Sequence, residues 1–158
     1  MKIAVSSDHA GFALKEEVKA LLEKEGHEVL DFGPYNEEPC DLSDYVYPAS
    51  LAVAEGKADR GIFVDGVGYG SAMIANKIYG VYAAVCQDTF CAKLARSHSD
   101  TNVLCLGGKI IGSALALEIV TAWMTTDYLS DIEKYTNRVD KVKKIAEKHL
   151  KKLDEIQD

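Results

Sequence analysis

The chain carries no surplus of positive charge: 18 Lys and Arg stand against 25 Asp and Glu in 158 residues, a net charge of −7. That balance argues against a nucleic-acid module, which needs a basic face for the phosphate backbone. One small anion needs only a few well-placed cations and is compatible with it. The chain also lacks any apolar run long enough to cross a membrane. Its start, "KIAVSSD", has no charged-then-apolar leader, so a soluble cytoplasmic protein is expected. Cysteine is sparse. Cys40, Cys86, Cys91 and Cys105 form no CxxC pair, and no histidine lies at zinc-finger spacing. Cys86 and Cys105 fall inside apolar runs, where a free thiol packs as a small hydrophobe. Reduced thiols are expected, neither metal ligands nor disulfides. There is no repeat, low-complexity tract or linker, and a hydrophobic fraction of 47% is ample for one core. Residues 1–158 therefore read as a single domain.

What is present alternates regularly. Strand-like runs at 2–7, 28–32, 61–65, 81–86 and 102–107 are separated by amphipathic stretches. The first of these stretches carries Leu14, Val18, Leu21 and Leu22 at helical spacing; others cover 44–55, 71–78, 88–97 and 113–125. Strands too apolar to leave a face in water imply a parallel sheet covered on both sides. The expected fold is a Rossmann-like three-layer αβα sandwich with a five-stranded parallel sheet in the order 2-1-3-4-5. A C-terminal helix within 131–158 has no strand left to cover. Its stripe of Val139, Val142, Ile145, Ala146 and Leu153 suits a second subunit better than water.

In that strand order ligands bind beyond the carboxyl ends of the first and third strands. The first ends in Ser6, Ser7, Asp8 and His9. The third ends in Asp65 and runs into "GVGYG", with Gly66, Gly68 and Gly70 framing Val67 and Tyr69. Two carboxylates, an imidazole and a row of backbone N–H groups thus converge, and such a loop can hold an anion. The dinucleotide fingerprint is absent, because the first strand's turn reads "SDHAG" rather than GxGxxG. A metal site from Asp8, His9 and Asp65 is geometrically possible, but nothing in their spacing demands one. Asp65 has two readings. Bonded to backbone N–H groups, it would cap the loop; buried beside Asp8, it would be a general base. The catalytic base is the expected role, because the sequence offers no other carboxylate or thiol at the loop.

"SSDHAGFALKEEV", the glycine loop followed by "ANKIYGVYAAV", "ARSHSDTNVLCLGGKIIG" and "NRVDKV" resemble ribose-5-phosphate isomerase B and the galactose-6-phosphate isomerase subunits. The resemblance runs in order from residue 2 to about residue 145. It implies metal-free aldose–ketose isomerisation of a sugar phosphate, no cofactor, and a homodimer or homotetramer. By the same resemblance His98 opens the sugar ring and donates a proton, while Asp8 and His9 hold the sugar. The N–H groups from Gly66 to Gly70 would stabilise an enediolate. Ser99 falls at a substrate-binding position, and Lys109, Lys134 and Arg138 would take the phosphate. Asp65 stands where ribose-type members often have a cysteine base, Val67 where they have Thr or Ser, and Tyr135 where they have His. His98 follows a helix and precedes a strand, so it lies at the amino end of its own sheet. To act at the carboxyl end it must enter a neighbour's crevice, which makes shared active sites the expectation.

Ribose 5-phosphate is the first substrate expected, with four- and six-carbon sugar phosphates next, and a subunit needing a homologous partner is a further alternative. A phospho-receiver domain is the rival from another class, since Asp8, Asp65 and Lys109 mimic its two acids and its lysine. Ser7 supplies no second carboxylate for Mg²⁺ there, and the glycine loop would have no task.

Overall fold

The computed structural model describes residues 1–156. Its sheet is built from β1 (Lys2–Ser7), β2 (Glu28–Asp31), β3 (Arg60–Asp65), β4 (Ala83–Val85) and β5 (Val103–Gly107), all paired in parallel. Between and after them run α1 (Phe12–Lys24), α2 (Ser43–Ala54), α3 (Tyr69–Ala75), α4 (Thr89–Ser97), α5 (Ser113–Thr125) and α6 (Glu133–His149). Side chains alternate across each strand, so the sheet feeds two cores. Ile3, Val5, Ile62, Val64, Leu104 and Leu106 pack under α1, α4 and α5. Ala4, Phe63, Val103 and Cys105 pack under α2 and α3. Burial pushes the Cys86 thiol up to about 12, and burial followed by the nearby Asp65 charge pushes Cys105 well above the ordinary thiol value. All four cysteines are unpaired.

The strand order is β2-β1-β3-β5-β4, which corrects the expected 2-1-3-4-5 at its last two places. β5, "VLCLG", is buried along its whole length and pairs with β3 over five residues, Gly61↔Val103 to Asp65↔Gly107. β4 is three half-exposed residues, suited to an edge. At Ala83 that edge is closed by the Asn76 side chain, which accepts from Ala83 N–H at 2.9 Å and donates to Ala83 C=O at 3.0 Å. The swap leaves the switch point in place. α1, which follows β1, and α3, which follows β3, cover opposite faces of the sheet, which opens a crevice above the carboxyl ends of β1 and β3.

α6 contributes one buried side chain, Val139, and leaves Val142 and Ile145 52% and 61% exposed. Among the described residues no helix is long and apolar enough to cross a membrane.

One buried charge braces the loop beside the crevice. Lys15 is fully buried on α1 and donates to Asp31 Oδ1 at 2.8 Å and to the Pro34 carbonyl at 2.7 Å. Burial by itself would raise the Asp31 carboxyl. The hydrogen bonds from Lys15, the Gly33 N–H and Lys19 outweigh it and hold the group below the usual carboxylate range. A depressed carboxyl adds stability that is complete above its unfolded value, near pH 4, and is lost as pH falls through the lower folded value. Asp31→Asn should therefore lower Tm at pH 7 and flatten the acid side of the Tm–pH curve. An unchanged acid limb would show that Asp31 does not report on folding.

Candidate active site

The glycine loop takes its shape from the residue that ends β3. Asp65 is 4% exposed; its Oδ1 accepts the Gly68 N–H, and its Oδ2 accepts the Ser71 N–H at 3.0 Å. Gly68, the N-cap of α3, has φ of +86°, a backbone state that costs glycine little. At Gly70 a Cβ would stand 2.8 Å from Leu42 Cδ2 and 2.9 Å from Asp65 Oδ2, so any side chain there would have to displace Leu42 and the carboxylate. The loop thus closes on the chain's own anion, the capping arrangement set out above. Two of its N–H groups are turned inward. Those of Tyr69 and Gly70 have no hydrogen-bond partner among the described residues. The end of β5 ties down the other side, with Gly108 N–H donating to Asp65 C=O at 2.8 Å and Lys109 N–H to Gly66 C=O at 3.0 Å. The Lys109 stem lies across Gly66, and Val67 is exposed at the rim.

β1 supplies the facing wall. Ser7 pairs with Val64, and Asp8 N–H donates to Val64 C=O at 3.3 Å, which sets Asp8 opposite Asp65. Asp8 is half-buried; its Oδ1 accepts the Gly11 N–H at 2.9 Å, and its Oδ2 has no partner among the described residues. His9 is exposed, and its Nδ1 accepts the Cys40 N–H at 3.3 Å. In the neutral ring the proton therefore sits on Nε2, which is left as a donor. Cys40 and Leu42 escaped the sequence reading. The only signal was a polar loop with Pro34 and Pro39 placed just before α2. Among the described residues no three His, Cys, Asp or Glu side chains are grouped to hold a metal ion.

The remaining candidates lie elsewhere. His98 is the C-cap of α4, a helix that runs back from β4 to the amino end of the sheet. The strand from Arg60 to Asp65 separates the two ends by roughly 16 Å at about 3.3 Å per residue. His98 stacks on Tyr135 of α6, ring centroids 4.0 Å apart and planes 14° from parallel. Lys134 Nζ and Arg138 Cζ lie 5.0 and 6.0 Å from the same Tyr135 ring. His98, Ser99 and Arg138 line a groove of about 600 Å³ along the β4 edge, walled by Leu94, Val139 and Val142. The expected site residues thus form two groups in one chain. Asp8, His9, Asp65, the loop and Lys109 lie at the carboxyl end; His98, Ser99, Lys134 and Arg138 lie at the amino end.

The sequence profile of the family described as Ribose/Galactose Isomerase matches residues 3–142. The chain belongs to that family. Ribose-5-phosphate isomerase B of Escherichia coli (strain K12) is 44% identical to it over 127 residues, 80% of this chain and 85% of that protein. The 4-deoxy-4-sulfo-D-erythrose isomerase of Clostridium sp. (strain MSTE9) is 38% identical over 136 residues, 85% of this chain and 86% of that protein. The solved structure of Clostridium thermocellum ribose-5-phosphate isomerase B superposes with a TM-score of 0.90 at 40% identity, covering 94% of this chain and 99% of that one. As a ribose/galactose isomerase family member this chain is a sugar-phosphate isomerase, and the receiver alternative falls away. Asp65, at the end of β3, belongs to the loop whose glycines the family resemblance rests on.

Proposed function

We propose that the protein interconverts ribose 5-phosphate and ribulose 5-phosphate through an enediolate, at sites shared between two copies of the chain. The reading is carried by the division of the expected residues between opposite ends of one sheet. Each group lacks what the other holds: carboxylates and oxyanion donors at one end, the imidazole and two phosphate cations at the other. A symmetric pair would bring the two groups together twice.

The reaction sets the roles. An aldose becomes a ketose when one proton moves from C2 to C1 and another from O2 to O1, so atoms and electrons balance without an external oxidant. The neighbour's His98 opens the ring and donates at oxygen. Asp8 carries the C–H proton, supported by its unpartnered Oδ2, whereas both Asp65 oxygens already accept loop N–H groups. Asp65 holds the loop so that the Tyr69 and Gly70 N–H groups face the developing oxyanion. His9 Nε2–H donates to a sugar oxygen. Lys109 of one chain, with Lys134 and Arg138 of the other, binds the phosphate.

The test is a coupled assay of the purified protein alone across four-, five- and six-carbon aldose phosphates and 4-deoxy-4-sulfo-D-erythrose. The highest kcat/KM is expected on ribose 5-phosphate, unchanged by EDTA. A tenfold preference for a tetrose or hexose substrate overturns the choice of sugar. Absence of turnover on every substrate, reversed by a homologous subunit, overturns the homo-oligomeric site.

A further inference from the structure

His98 depends on its backbone for its position. Among the described residues no group hydrogen-bonds its imidazole, which stacks on Tyr135. The place of the ring is therefore set by the turn from Ser97 to Thr101, and that turn is built around Arg96. Arg96 is 7% exposed. Its Nη1 donates to the Thr101 carbonyl and, at 3.1 Å, to Asp100 Oδ1, so one guanidinium spans the turn. Asp100 has φ of +49°, a left-handed state that is uncommon outside glycine, although Asp tolerates it better than most residues. Its N–H donates back to the Arg96 carbonyl at 3.2 Å. Thr101 is fixed in turn. Its hydroxyl donates to Ala95 C=O at 3.0 Å and accepts the Trp123 indole N–H at 3.0 Å.

The anchor behind the turn is the Trp123 ring. Arg96 lies over the Trp123 ring at 5.8 Å and Arg60 over the same ring at 5.2 Å. Arg60 also donates to the Met124 carbonyl at 3.2 Å, fastening the start of β3 to the end of α5. A buried and a half-buried like charge oppose each other there; burial first, and then the Arg96 charge, lower the Arg60 value. An apolar residue at 96 would pack against Trp123 without that repulsion. What it could not do is hold Asp100 left-handed and Thr101 in register.

We propose that Arg96 is a positioning residue for His98, acting through Asp100 and Thr101 to fix where the imidazole enters a neighbouring crevice. The inference rests on the role given to His98 under the proposed function. Both bonds leave the one nitrogen Nη1, whose two in-plane hydrogens are aimed by a guanidinium set over Trp123; a lysine ammonium ends one bond short of Nη1 and has no plane to aim its hydrogens. Misplacing a reacting group by about 1 Å costs on the order of a hundredfold in rate.

The experiment compares Arg96→Lys, Asp100→Ala and His98→Ala in the full-length protein, assayed below the Tm of each. Arg96→Lys and Asp100→Ala, which removes both the acceptor and a residue tolerant of the left-handed state, should lower kcat by tenfold or more, with inhibition by inorganic phosphate unchanged within twofold. They should also shift the His98 ring Cε1–H resonance, which a purely stabilising contact would leave in place. If both variants keep kcat within twofold and leave that resonance unmoved while Tm falls, Arg96 only supports the fold and the inference is overturned. If His98→Ala itself keeps wild-type turnover, the role of His98 in the proposed function falls, and this inference with it. An inactive His98→Ala beside fully active Arg96 and Asp100 variants sinks the inference alone.

Discussion

Equal mixing of inactive Asp8→Asn subunits with inactive His98→Ala subunits should restore about a quarter of wild-type turnover. Asp8 and His98 lie at opposite ends of the same sheet, separated by the length of β3. One chain cannot bring them to one substrate; two chains related by a twofold axis can do so at two places. Random exchange makes half of the pairs mixed. In each mixed pair one site carries both substitutions and the other carries neither, which gives the quarter. Separately, each variant should lose about 10²- to 10⁴-fold, the usual contribution of a positioned acid or base. Subunit exchange has to be confirmed independently, for instance by mass spectrometry of differently tagged chains. Confirmed exchange with no recovered activity would mean that each site is built from one chain.

How much of this was legible in the sequence follows from what each signal encodes. The parallel sheet was legible because apolar strands alternate with amphipathic stretches, and that pattern has one economical packing. The crevice was legible too, since Asp8, His9 and Asp65 all directly follow or end strands at the switch point. The order of β4 and β5 was not. "VYAAVC" and "NVLCLG" are both apolar runs, and their patterning does not say which one pairs with β3. Burial decides it, and burial belongs to the assembled sheet. The two-ended arrangement was readable from His98 standing between a helix and the next strand. The brace formed by Arg96, Asp100, Thr101 and Trp123 was not, because only Arg96 and Asp100 share a helical i,i+4 spacing, while the link to α5 runs from Thr101 to the distant Trp123. Asp65 lies between these cases. Its residue type and place were plain, but its partners depend on the left-handed turn at Gly68 and on the close packing over Gly70.

That distinction separates the two carboxylates experimentally, because asparagine is a different perturbation at each. At position 8 the Asn carbonyl can still accept the Gly11 N–H, and the new amide falls on the side where Oδ2 has no partner. Asp8→Asn should leave Tm nearly unchanged while kcat falls by about 10²- to 10⁴-fold, roughly 3 to 5 kcal/mol of barrier. KM should move little if the lost interaction belongs to the transition state. At position 65 both oxygens accept N–H groups, so an amide nitrogen must face one donor with another donor. Losing one buried hydrogen bond to a charged acceptor costs about 1.5 to 3 kcal/mol. For a chain of 158 residues that lowers Tm by on the order of 5 °C. Asp65→Asn should therefore be visibly less stable, with kcat reduced by less than about tenfold as the loop loosens. The opposite pattern would reverse the assignment. If Asp65→Asn keeps its Tm and loses a hundredfold or more in kcat, while Asp8→Asn stays within tenfold of wild type, then Asp65 carries the proton and its loop bonds serve only to aim it.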